Sequence, residues 1–388
     1  MTAPESILQQ VARVQLAASD PATSAWVSAN AGSGKTHVLA QRVIRLLLDG
    51  TPPGRILCIT YTKAAAATMA NRVFGQLARW TMLDDAALDA ELRAAGAKDP
   101  DASLRARARR LFARTLETPG GLKVQTIHAF CTHLLHQFPF EADVPVRFEV
   151  LDELAQAKLL DRLILAVLLD AAARPESACG RALAVAIAHA ADQRIRELLG
   201  DAVAARDQLA GWIEAAGGFD PALAQLARDL GIDPADSEEK IEAEILAAAS
   251  IAAPEWPAIA KQLRAGSLQD QKLARLFASL PQLPAPARRE AYVRIFFTNE
   301  LKPRKRLVTK KISDENPELY RRLCGEQSRI GALIERRRAV AARDRTGALL
   351  ALALEVLDRY RAEKDRRGLL DYEDLIDKAH RLLNDGVN

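Results

Sequence analysis

Aromatic residues are scarce. They make up 5% of a chain that is 49% hydrophobic, so alanine and leucine fill most of the apolar quota. That composition favours a mainly helical protein. Cysteine is scarce as well. Cys58, Cys131, Cys179 and Cys324 stand far apart and form no C-x-x-C, which excludes a disulfide framework and reads as reduced thiols in a cytoplasmic protein. No apolar run reaches membrane-spanning length and no signal peptide opens the chain, so membrane-embedded and secreted classes are set aside. Repeats and low-complexity tracts are missing. A strong charge of one sign is missing too: 54 basic residues face 50 acidic ones, for a formal charge of +4. This balance neither proves nor excludes a nucleic-acid partner, and clustering has to decide. The 388 residues can hold two or three domains.

One feature dominates what is present. Ser24-Ala-Trp-Val-Ser-Ala-Asn-Ala-Gly-Ser-Gly-Lys-Thr36 reads as an apolar strand, 24–29, running into a glycine-rich loop that ends in Lys-Thr. Gly32 and Gly34 lack side chains, so backbone N–H groups from Ala31 to Gly34, Ser33 included, can wrap around phosphates. Lys35 supplies a cation for the β- and γ-phosphates, and the Thr36 hydroxyl can ligate Mg²⁺. The following helix turns its positive end toward the anion. The strict pattern opens with glycine, where this chain has Ala29. These residues predict binding of ATP with Mg²⁺.

Strand, helix, strand, helix, strand follows. The helix after the loop places Leu39, Val43, Leu46 and Leu47 on one face and stops at Gly50. Ile56–Thr60 is a second strand, a helix runs from Ala64 to about Trp80, a basic helix covers 103–117, and Lys123–Ile127 is a third strand leading to a helix over about 129–138. This is the βαβ pattern of a parallel sheet. After Pro145 helical periodicity takes over, with breaks near 174, 217–221, 231–234, 253–257, 280–286 and 303. The expected architecture is α/β: a RecA-like phosphate-loop NTPase domain with a parallel sheet over 1–144, a large all-α inserted domain over 145–365, and a return segment over 366–388.

Two further loops end strands of that sheet. Thr60-Tyr61-Thr62 surrounds an aromatic with hydroxyls, which suits single-stranded nucleic acid; a packed tyrosine flanked by capping threonines is the alternative. Thr126-Ile-His128 has the same character, and His128 can meet a phosphate or a base or be structural. Gln15, twenty residues before Lys35, carries a carboxamide able to pair with adenine, or is an exposed helix residue. Lys302, Arg304, Lys305, Arg306, Lys310 and Lys311 cluster, with Arg336-Arg-Arg338, Arg343 and Arg345 after them. This is a backbone-tracking surface for DNA or a solvated basic loop. His128, His133 and His136 lie close in sequence, but no acidic or cysteine partner completes a zinc site.

Gln15-Leu-Ala-Ala18, Ala29-Asn-Ala-Gly-Ser-Gly-Lys-Thr36, Ile59-Thr-Tyr-Thr-Lys-Ala-Ala-Ala-Ala-Thr-Met69, Val124-Gln-Thr-Ile-His-Ala-Phe-Cys131 with Phe138-Pro139, and Leu370-Asp-Tyr-Glu-Asp-Leu-Ile376 together resemble the N-terminal part of UvrD-like superfamily-one DNA helicases. The Thr-Ile-His-x-Phe-Cys run points to the AddA/RecB branch of helicase–nucleases, and Trp26-Val-Ser-Ala-Asn-Ala-Gly32 with Pro303-Arg-Lys-Arg306 to the AddA type. The resemblance implies that Gln15 reads adenine, that Gly32, Gly34, Lys35 and Thr36 hold phosphates and Mg²⁺, and that Thr60, Tyr61, Thr62, Thr126 and His128 touch single-stranded DNA. It implies that the helical insertion contacts duplex DNA ahead of the fork. A cytoplasmic, ATP-dependent enzyme of double-strand break repair follows, with an AddB-type partner. The family usually carries Phe at position 61 and an acidic residue at 68, where this chain has Tyr and Thr. Its Asp-Glu motif, which holds Mg²⁺ and activates water, is expected beyond residue 388. Asp371, Glu373 and Asp374 precede a helix and are not that motif. The chain therefore reads as an N-terminal fragment. A truncated nucleotide- and DNA-binding module without turnover is the second reading, and a small-molecule kinase, which leaves Tyr61 and His128 unexplained, the third.

Overall fold

The computed structural model describes residues 7–385 apart from Ala29 and 31–33. It divides into two compact units, one holding the described residues up to Asp152 and from Arg367 onward, the other Glu153–Arg366.

The first unit begins with α1 (Ile7–Ala18) and α2 (Lys35–Leu48). Then come β1 (Leu57–Thr60), α3 (Lys63–Met82), α4 (Asp85–Ala94) and α5 (Ala102–Glu117). β2 (Lys123–Thr126), α6 (Ile127–Gln137) and β3 (Glu149–Val150) follow. β1 and β2 pair in parallel, with Leu57 opposite Lys123 and Thr60 opposite Thr126. The core between α2, α3 and α5 is built at helical spacing: Val43, Ile44 and Leu47 meet Val73, Leu77 and Trp80, closed by Ala108 and Leu111. Leu39, expected on this face, is half exposed; Val38, Ala40 and Leu48 complete the stripe instead.

The expected strand over 24–29 does not form in its described part. Residues 24–28 carry no ladder, and Trp26 is 95% exposed. A strand is held by a neighbour's hydrogen bonds and a buried face. This segment has neither, so its apolar composition alone does not order it.

The second unit is entirely helical apart from one isolated bridge. It comprises α7 (Glu153–Ala173), α8 (Ala178–Ile187), α9 (Asp192–Ala204), α10 (Arg206–Ala216), α11 (Phe219–Asp229) and α12 (Glu238–Ala247). α13 (Trp256–Leu263), α14 (Leu268–Ser279), α15 (Ala285–Phe296), α16 (Lys310–Glu315) and α17 (Pro317–Arg367) continue it. The breaks fall where proline and glycine predict them; Gly217, at φ 84°, ends α10 in the left-handed conformation.

α17 is 51 residues long, roughly 76 Å at 1.5 Å per residue. It serves two cores in turn. Leu319, Leu323, Ile330 and Val340 join a cluster with Trp256, Phe277, Tyr292 and Phe296. Leu352, Ala353, Val356 and Leu357 join a second with Val167, Leu199 and Val203.

Glu326 interrupts the first stripe. Its side chain is closed to solvent, yet it accepts from Tyr292 Oη at 2.8 Å, Ser250 N at 3.1 Å, and Arg329 Nε at 2.9 Å and Nη2 at 2.6 Å. Arg329 in turn donates to the carbonyls of Glu244 and Ile245 at the end of α12. Burial pushes the Glu326 carboxyl up, but the bonds from Arg329, Ser250 and Tyr292 outweigh it and hold it below the usual glutamate range.

β4 (Leu369–Leu370) returns to the first unit, pairs in parallel with β3, and leads into α18 (Tyr372–Asp385). Asp371 is buried at the start of that helix. It accepts from the N–H groups of Glu373 at 3.1 Å and Asp374 at 2.9 Å, while Asp374 Oδ2 accepts from the Asp371 N–H at 2.9 Å. This reciprocal cap satisfies helix-end donors and seats Leu370, Leu375 and Ala379 in a core with Leu135 and Phe148. Asp371→Ala should therefore cost about 1–2 kcal/mol, with Asp371→Asn recovering most of it. Hydrogen exchange across 372–385 measures this, and unchanged protection in the alanine variant would deny the cap its role.

Candidate nucleotide and nucleic-acid site

The start of α2 is shaped by its glycine. Gly34 has φ 93° and ψ 14°, a left-handed conformation at the N-cap. A Cβ at this position would also stand 2.9 Å from Gln15 Nε2. Both facts require glycine. They also bring the Gln15 carboxamide, from α1, against the turn that delivers Lys35 and Thr36. Lys35 is the first residue of α2, and its Nζ donates to the Asn30 carbonyl at 2.8 Å in an exposed setting. Thr36 follows one position on. Ala31, Gly32 and Ser33 lie outside the described residues.

Two arginines that no sequence motif singled out hold this arrangement. Arg42 donates to the carbonyls of Asp20 at 2.6 Å and Thr23 at 2.5 Å. Arg45 donates to Leu16 O at 2.7 Å and Ser19 Oγ at 2.9 Å. Cations at the end of α1 satisfy its last carbonyls and complement its dipole, which fixes α1, and with it Gln15, against α2. Their spacing, seven and ten residues after Lys35, is the signal that points to them. Gln15 also lines a cavity of about 520 Å³ with His37, Gln41, Arg79 and Glu91. Arg79 and Glu91 close one side of it as an ion pair at 2.6 Å.

The strand register sets the second group. Thr60 lies opposite Thr126 at the carboxyl ends of β1 and β2, so Thr60–Thr62 and Thr126–His128 leave the sheet side by side. Thr62 caps α3 by accepting from Ala65 N at 3.1 Å, and Thr126 caps α6 by accepting from Ala129 N at 3.2 Å. Thr60 Oγ1 donates to Thr62 O at 3.0 Å. Tyr61 is not packed: it is 88% exposed. His128 stacks on Tyr372 with ring centroids 4.4 Å apart, a partner nothing in the sequence pattern singled out. His133 turns to Gln125 and His136 to Phe148.

The basic segment of the second unit is a fixed loop. Arg304 N donates to Phe296 O at 2.9 Å, and Gln327 Nε2 donates to the carbonyls of Phe296 and Arg304. Leu307 and Val308 are buried, and Thr309 donates through N and Oγ1 to the buried Asp270 at 2.9 and 2.7 Å. Arg304, Lys305 and Arg306 are left exposed between these anchors. The later arginines differ. Arg336 binds Asp236 with both arms and holds its carboxyl down at about 2, and Arg343 donates to the carbonyls of Pro234 and Asp236. These two are structural ties, so the basic surface does not extend through them as expected.

The family described as UvrD/REP helicase N-terminal domain matches residues 11–388. The chain belongs to the UvrD/REP helicase family. Membership implies ATP binding and DNA binding. Among individual relatives, this helicase domain is 34% identical over 134 residues to the AddA subunit of the ATP-dependent helicase/nuclease of Latilactobacillus sakei, covering 34% of this chain and 13% of that protein. To the corresponding helicase/nuclease proteins from Desulforudis audaxviator and Moorella thermoacetica it is 37% identical over 136 residues and 32% over 145. Those matches cover 34% and 36% of this chain and 9% of each relative. The matched stretch thus spans about a tenth of these relatives' length, a distant and partial homology. Among the described residues no helix is long and apolar enough to cross a membrane.

Proposed function

We propose that this chain is the ATP-binding N-terminal part of an AddA-type helicase–nuclease that unwinds DNA ends in double-strand break repair and recombination. On this reading residues 1–144 and 366–388 belong to a RecA-like domain and 145–365 to a helical, DNA-contacting insertion. The observation that carries it is the meeting of Gln15 with Gly34 at the head of α2. An adenine-reading amide and a phosphate cradle twenty residues apart in sequence are brought to one place.

The residues present fit a nucleoside triphosphate. Gly34 leaves room where a side chain would close the turn, α2 directs its N-terminus there, Lys35 offers a cation, and the Thr36 hydroxyl is placed to hold Mg²⁺. ATP, when bound, supplies the phosphoryl transfer that drives such motors. Tyr61 offers its open face for stacking on a base, with Thr60, Thr62, Thr126 and His128 around it. Arg304, Lys305 and Arg306 neutralise duplex phosphates. An AddB-type partner belongs to the same reading. So does a cytoplasmic setting, which four free thiols favour.

The test is a pair of titrations. A fluorescent ATP analogue with Mg²⁺ should bind and be displaced by ATP better than by GTP, and Gln15→Ala should erase that preference. Labelled single-stranded and forked DNA should bind with an affinity that falls steeply with salt. Equal displacement by both nucleotides, or no binding to any DNA at low salt, would overturn the reading.

A further inference from the structure

The five arginines of α5 divide into two groups. Arg105 and Arg109 pair with carboxylates of α4: Arg105 with Asp89 at 3.0 Å, Arg109 with Asp85 at 2.9 Å. Arg107, Arg110 and Arg114 lie on another face. At 100° per residue they fall within one narrow stripe. Among the described residues no carboxylate pairs with any of them. Arg107 donates to the Leu48 carbonyl at 2.9 Å and Arg110 to Ala106 O at 3.1 Å. The three line an open cavity of about 670 Å³ whose acidic contribution is Glu117 alone.

Its place in the unit matters. α5 leads through Thr118 to the amino end of β2, where Lys123 is exposed opposite Leu57. Arg55 precedes β1, and Gly54 lies against Thr118, 3.7 Å from where a Cβ would stand. These cations therefore gather at the amino ends of the strands. Tyr61 and His128 leave from the carboxyl ends. The surface is at the opposite pole of the sheet from the nucleotide and single-strand site.

We propose that Arg107, Arg110 and Arg114 form a second nucleic-acid contact that takes the phosphodiester backbone. This rests on the reading of the chain as a DNA motor. Guanidinium groups match phosphate oxygens with paired donors. From Arg107 to Arg114 the helix rises roughly 10 Å, enough to serve more than one phosphate. Protein partners are anchored by buried aromatic or large apolar side chains. This cavity presents no aromatic, and its one large apolar residue, Leu111, is already buried in the core. A charge-tracking ligand fits it better than an acidic protein.

The experiment uses the full chain and fluorescein-labelled single-stranded and duplex oligonucleotides, with affinity measured across a salt series. For Arg110→Ala/Arg114→Ala, the slope of log affinity against log salt should fall by about 1.8 with duplex or about 1.4 with single strands, two phosphate contacts at the slope per contact for each form. The arm that changes identifies which form docks there. Arg110→Lys/Arg114→Lys should keep the slope, because the charge remains. Helical circular dichroism and ATP-analogue binding should not change in either variant. If the alanine variant keeps the wild-type slope in both arms while Lys305→Ala/Arg306→Ala lowers it, the inference fails, the DNA reading stands, and the α5 face falls to an acidic protein. If the wild type binds neither oligonucleotide, both fail.

Discussion

Lys35→Ala should weaken binding of ATP with Mg²⁺ by roughly a hundredfold or more and leave the fold intact. The buried face of α2 is made by Val38, Ala40, Val43, Ile44, Leu47 and Leu48, and Lys35 is not part of it. Truncating the lysine removes no core contact, so stability should move by less than about 0.5 kcal/mol. The loss at the site is electrostatic. A hydrogen bond to a charged partner is worth about 1.5–3 kcal/mol, and one ammonium can make more than one to a triphosphate. Each 1.4 kcal/mol is about a tenfold change in affinity. In the structure Nζ bridges to Asn30 O, so the cation is already held across the loop and little ordering opposes its use. Titration of a fluorescent ATP analogue, beside thermal unfolding of both proteins, measures the two effects separately. Wild-type affinity in the variant would remove Lys35 from the phosphate site. A large drop in melting temperature would show that its role is structural.

Much of this site is legible in the amino-acid sequence, and the reason is local. Gly34, Lys35 and the caps Thr62 and Thr126 act through their own backbone or through residues a few positions away, so short motifs carry them. β1 and β2 are legible as apolar runs ending in polar loops. Their shared register, which sets Thr60 beside Thr126, needs the pairing itself. The strand expected at 24–28 shows the converse. Composition describes a buried strand, yet burial and pairing come from other segments, and Trp26 stands open. Asp371 looks like part of an acidic motif before a helix; its carboxylate is consumed by that helix's first N–H groups. The pairing of His128 with Tyr372 joins residues more than two hundred positions apart, and no periodicity reports such a contact. In the second unit helical spacing is plain, but Arg336 looks like surface charge when its partner, Asp236, is a hundred residues away.

Glu326 carries the same lesson with the largest energy attached. It occupies a position of α17 that spacing assigns to the apolar stripe, between Leu323 and Ile330. Glu326→Ala should destabilise the second unit by about 3–5 kcal/mol, because removing one member of a buried ion pair strands the other. Arg329 would keep its charge with only the carbonyls of Glu244 and Ile245 to meet it, and the Tyr292 hydroxyl would lose its acceptor. Glu326→Leu with Arg329→Met separates this cause from simple loss of contact. If the stranded charge is the penalty, the double variant should recover most of the stability, since apolar replacements of a buried pair are often neutral or better. Acidity gives an independent check. The folded carboxyl lies below its ordinary value, so its contribution is complete above the unfolded pKa of about 4.3 and fades as pH falls through the lower folded value. The gap between wild type and Glu326→Ala should therefore narrow on acidification. Denaturant-dependent hydrogen exchange of peptides from α13 and α17 reads the unit that contains the network. A double variant as unstable as Glu326→Ala, with a gap that does not change with pH, would mean that Glu326 acts by packing and that its charge contributes nothing to holding α12, α15 and α17 together.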